Sequence, residues 1–349
     1  MRYNEAIRGK MNSLKSGGFL LLAIETSCDE TSAAVLNSPT GVLSNVIHTQ
    51  IPIHREFGGV VPEIASRSHV ERIGGVVREA LSSAGVTIED INAIAVTSHP
   101  GLIGALLVGI SYAKGLALGL KIPITGVNHI HGHIAANYIS HPDIKPPYVC
   151  LVASGGHSNI VIVRDYCEYE ELGRTVDDAA GEAFDKVARV MGLPYPGGPQ
   201  LERLASTGES GKYRFHSAFN ESPSYDFSFS GLKTAVINLI HSKKQRGETI
   251  NLADVAASFQ ETVVNVLVNK TVAAANRHGL KSIAIAGGVS GNMALREQMK
   301  KAAHAGGMEF YCPDMRYCSD NAAMIGAAGY RQLIKNVSDG LDLNGTATK

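Results

Sequence analysis

The feature that most constrains this chain is that it repeats itself. Phe19 to Leu36 and Pro147 to Val163 each read as an apolar strand, a small polar turn and a second apolar strand. The turns are Glu25-Thr26-Ser27 and Ser154-Gly155-Gly156. Each half then offers another apolar strand, Ala93 to Val96 and Ile283 to Ala286, followed by a glycine-bearing turn and a helix. Those turns are Pro100-Gly101-Leu102-Ile103-Gly104 and Gly287-Gly288-Val289-Ser290-Gly291-Asn292. A strand and a further helix close each half. His129, 33 residues beyond Val96, and Asp320, 34 beyond Ala286, both open that final helix. The pattern predicts a duplicated α/β unit, two lobes flanking an interlobe cleft. Ligands of open α/β sheets bind beyond the carboxyl ends of strands, where all four turns fall.

Two lobes need two cores, and 349 residues of which 44% are hydrophobic supply them. We expect an N-terminal extension over 1–19, a first lobe over 20–145, a second over 146–335 with a helical insertion at about 177–260, and a tail over 336–349. Lys plus Arg equal Asp plus Glu at 32 each, so no global positive field draws nucleic acid and any such contact is local or shared. Five cysteines without a CxxC pair argue against a disulfide framework and a zinc ribbon, and fit a reducing cytosol. The basic stretch Met1 to Phe19 precedes an apolar run, Phe19 to Ile24, too short for a secretory signal. It reads as a bland extension, or a translation start at Met11, with an organellar transit peptide as the alternative. Gly101 to Leu120 is long and apolar, but its five glycines and Lys114 favour a buried small-residue helix over a membrane span.

Two surface features are singled out. Pro62 to Ala84 reads as a helix with Ile73, Val76, Val77, Ala80, Leu81 and Ala84 on one stripe. We expect an association surface there that Glu at Val76 and Leu81 would break, against the plainer reading of packing on its own sheet. Lys243-Lys244-Gln245-Arg246 is the densest cationic run after the N-terminal stretch, either a contact for RNA phosphates or a solvated helix end.

The chemistry starts from two patterns. Glycine-rich turns such as Ser154-Gly155-Gly156 and Gly287-Gly288 let backbone approach a ligand, and N–H groups at a helix start attract anions. His129 and His133, four apart, share one helical face within reach of one ion, whereas His131 points elsewhere. With Asp320 facing them across the cleft, two imidazoles and a carboxylate make an open site for iron or zinc. The protease pattern HExxH is absent, because Ile130 stands where its glutamate belongs. A sugar kinase would need a carboxylate base at the second phosphate turn, which offers Ser154 instead.

Several blocks in order resemble the TsaD family of tRNA threonylcarbamoyladenosine transferases, once described as O-sialoglycoprotein endopeptidases. They are Ile24 to Thr31, Gly58 to Glu63, His99 to Leu102, Ser154 to His157, Asp177 to Lys186, Tyr195 to Pro199, Phe227 to Lys233 and Ala286 to Asn292, within about residues 20 to 335. The resemblance implies the two-lobe actin-like ATPase fold shared with sugar kinases and Hsp70. It implies transfer of threonylcarbamoyl from threonylcarbamoyl-AMP to N6 of adenosine 37 in tRNAs reading codons that start with A. It carries the metal ligands to His129, His133 and Asp320, for one divalent ion, iron or zinc. It carries the adenylate (or ATP) contacts to Val152, Ala153, Ser154, Gly155, Gly156, Asp185, Gly198 and Asn292, with Asp185 suited to ribose hydroxyls. Asp29 or Glu30 would orient or deprotonate the incoming amine, or simply cap their own turn. Glu202 departs from the aspartate usual in the family. The implied partners are tRNA, TsaB and TsaE, with TsaC as source of the intermediate, or a second copy in a homodimer; no membrane is implied, and the implied location is cytoplasmic, or organellar if the N-terminal stretch is a transit peptide.

Overall fold

Short apolar runs punctuated by glycine and polar turns fold as strands of two five-stranded sheets. The computed structural model describes residues 2–15, 18–215 and 224–347. In chain order the elements are α1 (Arg2–Leu14), β1 (Leu21–Glu25), β2 (Glu30–Leu36), β3 (Val42–Thr49), α2 (Ile51–Arg55), α3 (Pro62–Ala84), β4 (Ala93–His99), α4 (Ile103–Leu120), β5 (Ile124–Asn128) and α5 (His129–Ser140). There follow β6 (Tyr148–Ala153), β7 (Ser158–Asp165), β8 (Glu168–Arg174), α6 (Ala180–Val190), α7 (Gly197–Ala205), α8 (Ser230–Gln245), α9 (Leu252–Arg277), β9 (Ser282–Ala286), α10 (Met293–Ala305), β10 (Glu309–Tyr311) and α11 (Ala322–Ile334).

The chain divides into two compact units, Met1–Ile144 with Pro313–Lys349, and Lys145–Cys312. Their sheets have equivalent orders, β3-β2-β1-β4-β5 and β8-β7-β6-β9-β10. In the first, β1 runs antiparallel to β2 and parallel to β4; in the second, β6 runs antiparallel to β7 and parallel to β9. Equal order and equal strand sense agree with the duplication read from the sequence. The central strands β1 and β6 are buried along their whole length, which explains their unbroken apolar runs. The edge strands β3 and β8 were not anticipated. β8 is largely exposed and polar, and in β3 the apolar pairs Val42-Leu43 and Val46-Ile47 are separated by Ser44-Asn45, so no unbroken apolar run announces either.

The division corrects one boundary. The final helix, expected with residues 146–335, belongs to the first unit: α11 packs on β1, β2 and β4 and against α5. Its buried Ala322, Ala323, Gly326, Ala327 and Gly329 present a small surface that can lie close to a sheet. The N-terminal stretch, expected as a bland extension, also docks there. Ile7, Met11 and Leu14 of α1 are buried, the Tyr3 hydroxyl donates to the Ile122 carbonyl (2.6 Å), and Phe19 stacks on Tyr330 with ring centroids 3.9 Å apart. Helix α4, though long and apolar enough to cross a membrane, buries Ala105, Leu106, Gly109, Ile110, Ala113 and Ala117 and packs on α3 and β4. Val76 and Leu81 of α3 are core residues, so the stripe proposed for association is the one packed on the sheet.

Candidate functional site

Helix α5 starts where the sequence placed it, because the Asn128 side chain caps it by accepting from the N–H groups of Ile130 (2.7 Å) and His131 (3.3 Å). One helical turn then sets the His129 and His133 rings 4.6 Å apart, nearly perpendicular, and both are buried. Asp320 immediately precedes Asn321, whose side chain accepts from the Met324 N–H (3.0 Å) and caps α11. Asp320 is therefore not the capping residue, and its Oδ1 lies 3.5 Å from His129 Nε2 and 3.3 Å from His133 Nε2. All three ligand atoms fall within 4.8 Å of one another. The triad expected to span two lobes is thus assembled inside the first unit, because α11 packs beside α5.

The donors fit a divalent cation. Both ring nitrogens of His133 are buried and complete no hydrogen bond with protein, an arrangement native folds rarely leave unexplained. Burial first, then the neighbouring charge on His129, lowers the His133 pKa, so its imidazole is neutral, the form that ligates metal. Burial opposes charge on His129, yet the carboxylates of Asp320 and Glu25 hold its pKa well above the ordinary value. Burial likewise works against the Asp320 carboxylate, and His129 outweighs it, keeping Asp320 well below the usual range.

Glu25 is the functional residue that sequence reading missed. It ends β1 fully buried, with Oε2 3.0 Å from His129 Nδ1 and accepting from the Thr97 hydroxyl (2.6 Å), while Oε1 accepts from the Ser27 N–H. The Ser27 hydroxyl is 3.1 Å from the same Nδ1. A carboxylate that accepts the Nδ1–H hydrogen bond fixes the ring with Nε2 toward Asp320, so that Nε2 is the nitrogen a metal ion would deprotonate and bind, the arrangement by which carboxylates orient metal-binding histidines. The available signal was a glutamate ending an otherwise apolar strand, Leu-Leu-Ala-Ile-Glu, a position where an unpaired charge is costly.

The turn from β1 to β2 carries Asp29 and Glu30. The Asp29 carbonyl accepts from the Gln50 N–H (3.0 Å), and Glu30 Oε1 accepts from the Thr49 hydroxyl (2.9 Å). Burial first, then the Asp29 charge, pushes the Glu30 pKa up to about 10. Glu30 therefore holds a proton at neutral pH and cannot accept another there, which separates two residues that the sequence left equivalent.

In the second unit, Ser154 to His157 forms a tight turn after β6: the Ser154 N–H donates to the His157 carbonyl (2.8 Å), and the His157 N–H to the Ser154 hydroxyl (3.2 Å). Gly155 and Gly156 are exposed, and a Cβ on either would meet no protein atom within 4 Å, leaving open space above the turn. Next to it, Gly287 has φ +86°, and a Cβ there would lie 2.4 Å from the Ala153 carbonyl oxygen, so only glycine brings the β9 turn so near β6. Asp185 Oδ1 accepts from the N–H groups of Gly197 (2.7 Å) and Gly198 (3.1 Å), joining α6 to the start of α7. Asn292 caps α10 by accepting from the Leu295 N–H (3.0 Å) and donates to Gln260 (2.8 Å). Glu202 accepts from the Met293 N–H (2.7 Å), so its extra methylene lets it reach the start of α10. The cationic run at the end of α8 is partly offset, since Lys243 and Arg246 both pair with Glu248.

Comparison with known proteins gives concordant results. The family model described as TsaD, tRNA N6-adenosine threonylcarbamoyltransferase, matches residues 41–327. Curated proteins of that name from Clostridium botulinum (54% identical, covering 93% of this chain and 95% of theirs) and Caldicellulosiruptor saccharolyticus (53%, 93% and 96%) are close relatives. Among solved structures, HypF of T. kodakarensis superposes with a TM-score of 0.63 at 13% identity, covering 92% of this chain and 48% of that one. Component A of the Acidaminococcus fermentans (R)-2-hydroxyglutaryl-CoA dehydratase gives 0.54 at 14%, covering 90% and 99%. At such identities these structures speak to fold alone, and the fold is that of the actin-like ATPases.

Proposed function

The chain belongs to the TsaD family of tRNA N6-adenosine threonylcarbamoyltransferases, and from that premise we propose how its residues divide the reaction. The enzyme moves a threonylcarbamoyl group onto N6 of an adenosine in tRNA, and we assign threonylcarbamoyl-AMP as donor and adenosine 37 as acceptor. The N6 nitrogen forms a bond to the carbamoyl carbon, the bond from that carbon to the AMP phosphate oxygen breaks, and the amine loses a proton as AMP departs.

His129, His133 and Asp320 would hold one divalent ion, iron or zinc; when bound, it supplies a Lewis acid for the acyl oxygens. Glu25 accepts from His129 Nδ1 and so orients Nε2 as the nitrogen that would give up its proton and ligate. Asp29, rather than Glu30, would accept the proton of the attacking amine, since Glu30 is already protonated. The backbone of Val152, Ala153, Ser154, Gly155 and Gly156 would hold the adenylate phosphate. Asp185, Gly198 and Asn292 frame the remainder of the nucleotide, with Asp185 acting mainly by fixing the α7 start through Gly197 and Gly198. The observation that carries the metal assignment is the convergence of three ligand atoms, with His133 buried and otherwise unsatisfied. A peptidase reading is disfavoured because Ile130 is apolar and buried where a general-base glutamate would stand.

We place the reaction in the cytoplasm. TsaC would supply the donor, and TsaB and TsaE, or a second copy of the chain, would associate with it. A surface for such association is the groove between α3 and α4, where Val70 and Leu107 are exposed beside Gly74 and Gly104. The test combines purified chain, threonylcarbamoyl-AMP and unmodified tRNA, with and without those partners, and reads threonylcarbamoyladenosine in the digested nucleosides. Its formation supports the assignment; a chain that leaves adenosine 37 unmodified with all partners present rejects it.

A further inference from the structure

The segment beyond α11, expected from the sequence to be a plain tail, is tied down along the first unit. Asp339 pairs with Ile124, its N–H donating to the Ile124 carbonyl (2.8 Å) while its Oδ2 accepts from the Gly126 N–H (2.7 Å). That pairing covers the open edge of β5, which would otherwise present unsatisfied backbone groups. Leu343 then packs against the first core, and its carbonyl accepts from Lys114 Nζ (2.8 Å), which explains a lysine in the middle of the apolar helix α4. Farther on, the Thr346 N–H donates to the Ser98 carbonyl (3.0 Å) and the Ala347 carbonyl accepts from the Gly101 N–H (3.2 Å).

Ser98 to Leu102 spans the end of β4 and the turn into α4, and it in turn holds the turn after β1. The Leu102 N–H donates to the Ser27 carbonyl (2.8 Å), and Gly101 packs so close that a Cβ would sit 2.7 Å from that carbonyl oxygen. Ser27 completes the relay, since its N–H donates to Glu25 and its hydroxyl lies 3.1 Å from His129 Nδ1. We propose that residues 339–347 are a positioning strap: they fix the β4–α4 turn, and through Ser27 they hold Glu25 and His129 in the metal-binding arrangement. Thr346 and Ala347 act through their backbone alone. The inference rests on the metal reading above.

Thr346→Pro removes the N–H given to Ser98, whereas Thr346→Ala keeps it. The strap predicts faster amide hydrogen exchange at Gly101 and Leu102 in Thr346→Pro, together with zinc affinity weaker by about tenfold, the low end for groups that orient metal ligands. Thr346→Ala should match the parent in both. Parent-like exchange and zinc affinity in Thr346→Pro, or an equal loss in Thr346→Ala, overturns the strap. If Thr346→Pro fails to fold, a chain ending at Asn344 is read by the same criteria. A parent chain that takes up no zinc, iron or other divalent ion would instead reject the metal reading, so the two failures are distinguishable.

Discussion

Glu25 Oε2 lies 3.0 Å from Nδ1 of His129, inside a core from which solvent is excluded, and that contact decides which imidazole nitrogen faces Asp320. Replacing Glu25 with Gln offers a neutral amide that no longer fixes the Nδ1 proton. We expect metal affinity to fall by about tenfold or more, measured by competition with a chromophoric chelator. Undiminished affinity would mean that Glu25 has no part in the site.

The same cluster sets a pH dependence. His129 has a raised pKa, so a metal ion must displace its proton, and apparent affinity should climb with pH, approaching tenfold per unit while His129 stays protonated. For the metal-free chain the signs run both ways. His129 stabilises the fold fully below its ordinary value of 6.5 and loses that contribution as pH rises through its raised pKa. Glu25 and Asp320, both depressed, contribute fully above their ordinary values of 4.5 and 3.8 and lose it as pH falls. From these three groups chelated protein should therefore gain most between pH 4.5 and 6.5, while His133, whose pKa is lowered, loses its contribution as pH falls below 6.5; adding metal should move the Tm maximum to higher pH. Tm profiles with and without chelator check this; coincident profiles would contradict it.

Glu30 and Asp29 make a paired comparison. A residue with a pKa near 10 behaves at neutral pH as a carboxylic acid, which Gln imitates, so Glu30→Gln should retain transfer within about twofold. Asp29→Asn should lose about a hundredfold or more if Asp29 takes the amine proton. Single-turnover rates with preloaded metal separate the two, and equal losses would remove Asp29 from that role.

Much of this was legible in the residues. The repeat could be read because central strands buried on both faces leave unbroken apolar runs, as in β1 and β6. The histidine pair could be read because helical spacing is local. Membership of α11 could not, because which sheet a small-residue helix covers depends on packing hundreds of residues away, here on β1 and β2. The backbone partners of Asp185 and Asn292 could not be read for a similar reason: their side chains bond backbone groups of Gly197, Gly198 and Leu295, and such partners have no sequence signature.

Helix α3 offers a contrast between its two faces. Glu at Val76 or Leu81 would place a charge in the first core and should cost about 3–5 kcal/mol, read as a large drop in Tm. Glu at Val70, or at Leu107 of α4 across the groove, both exposed, should leave Tm nearly unchanged while weakening the proposed association with TsaB or a second copy. Size-exclusion chromatography with light scattering follows association, and unaltered association in the exposed-face variants would move the interface elsewhere.

The central claim is that His129, His133 and Asp320 hold one metal ion on which transfer depends. Elemental analysis of purified Asp320→Ala and His131→Ala proteins, paired with transfer assays, tests it most directly, because Asn321 rather than Asp320 caps α11 and both variants should fold. The account predicts that Asp320→Ala loses metal and transfer together while His131→Ala keeps both; full metal occupancy in Asp320→Ala would contradict it.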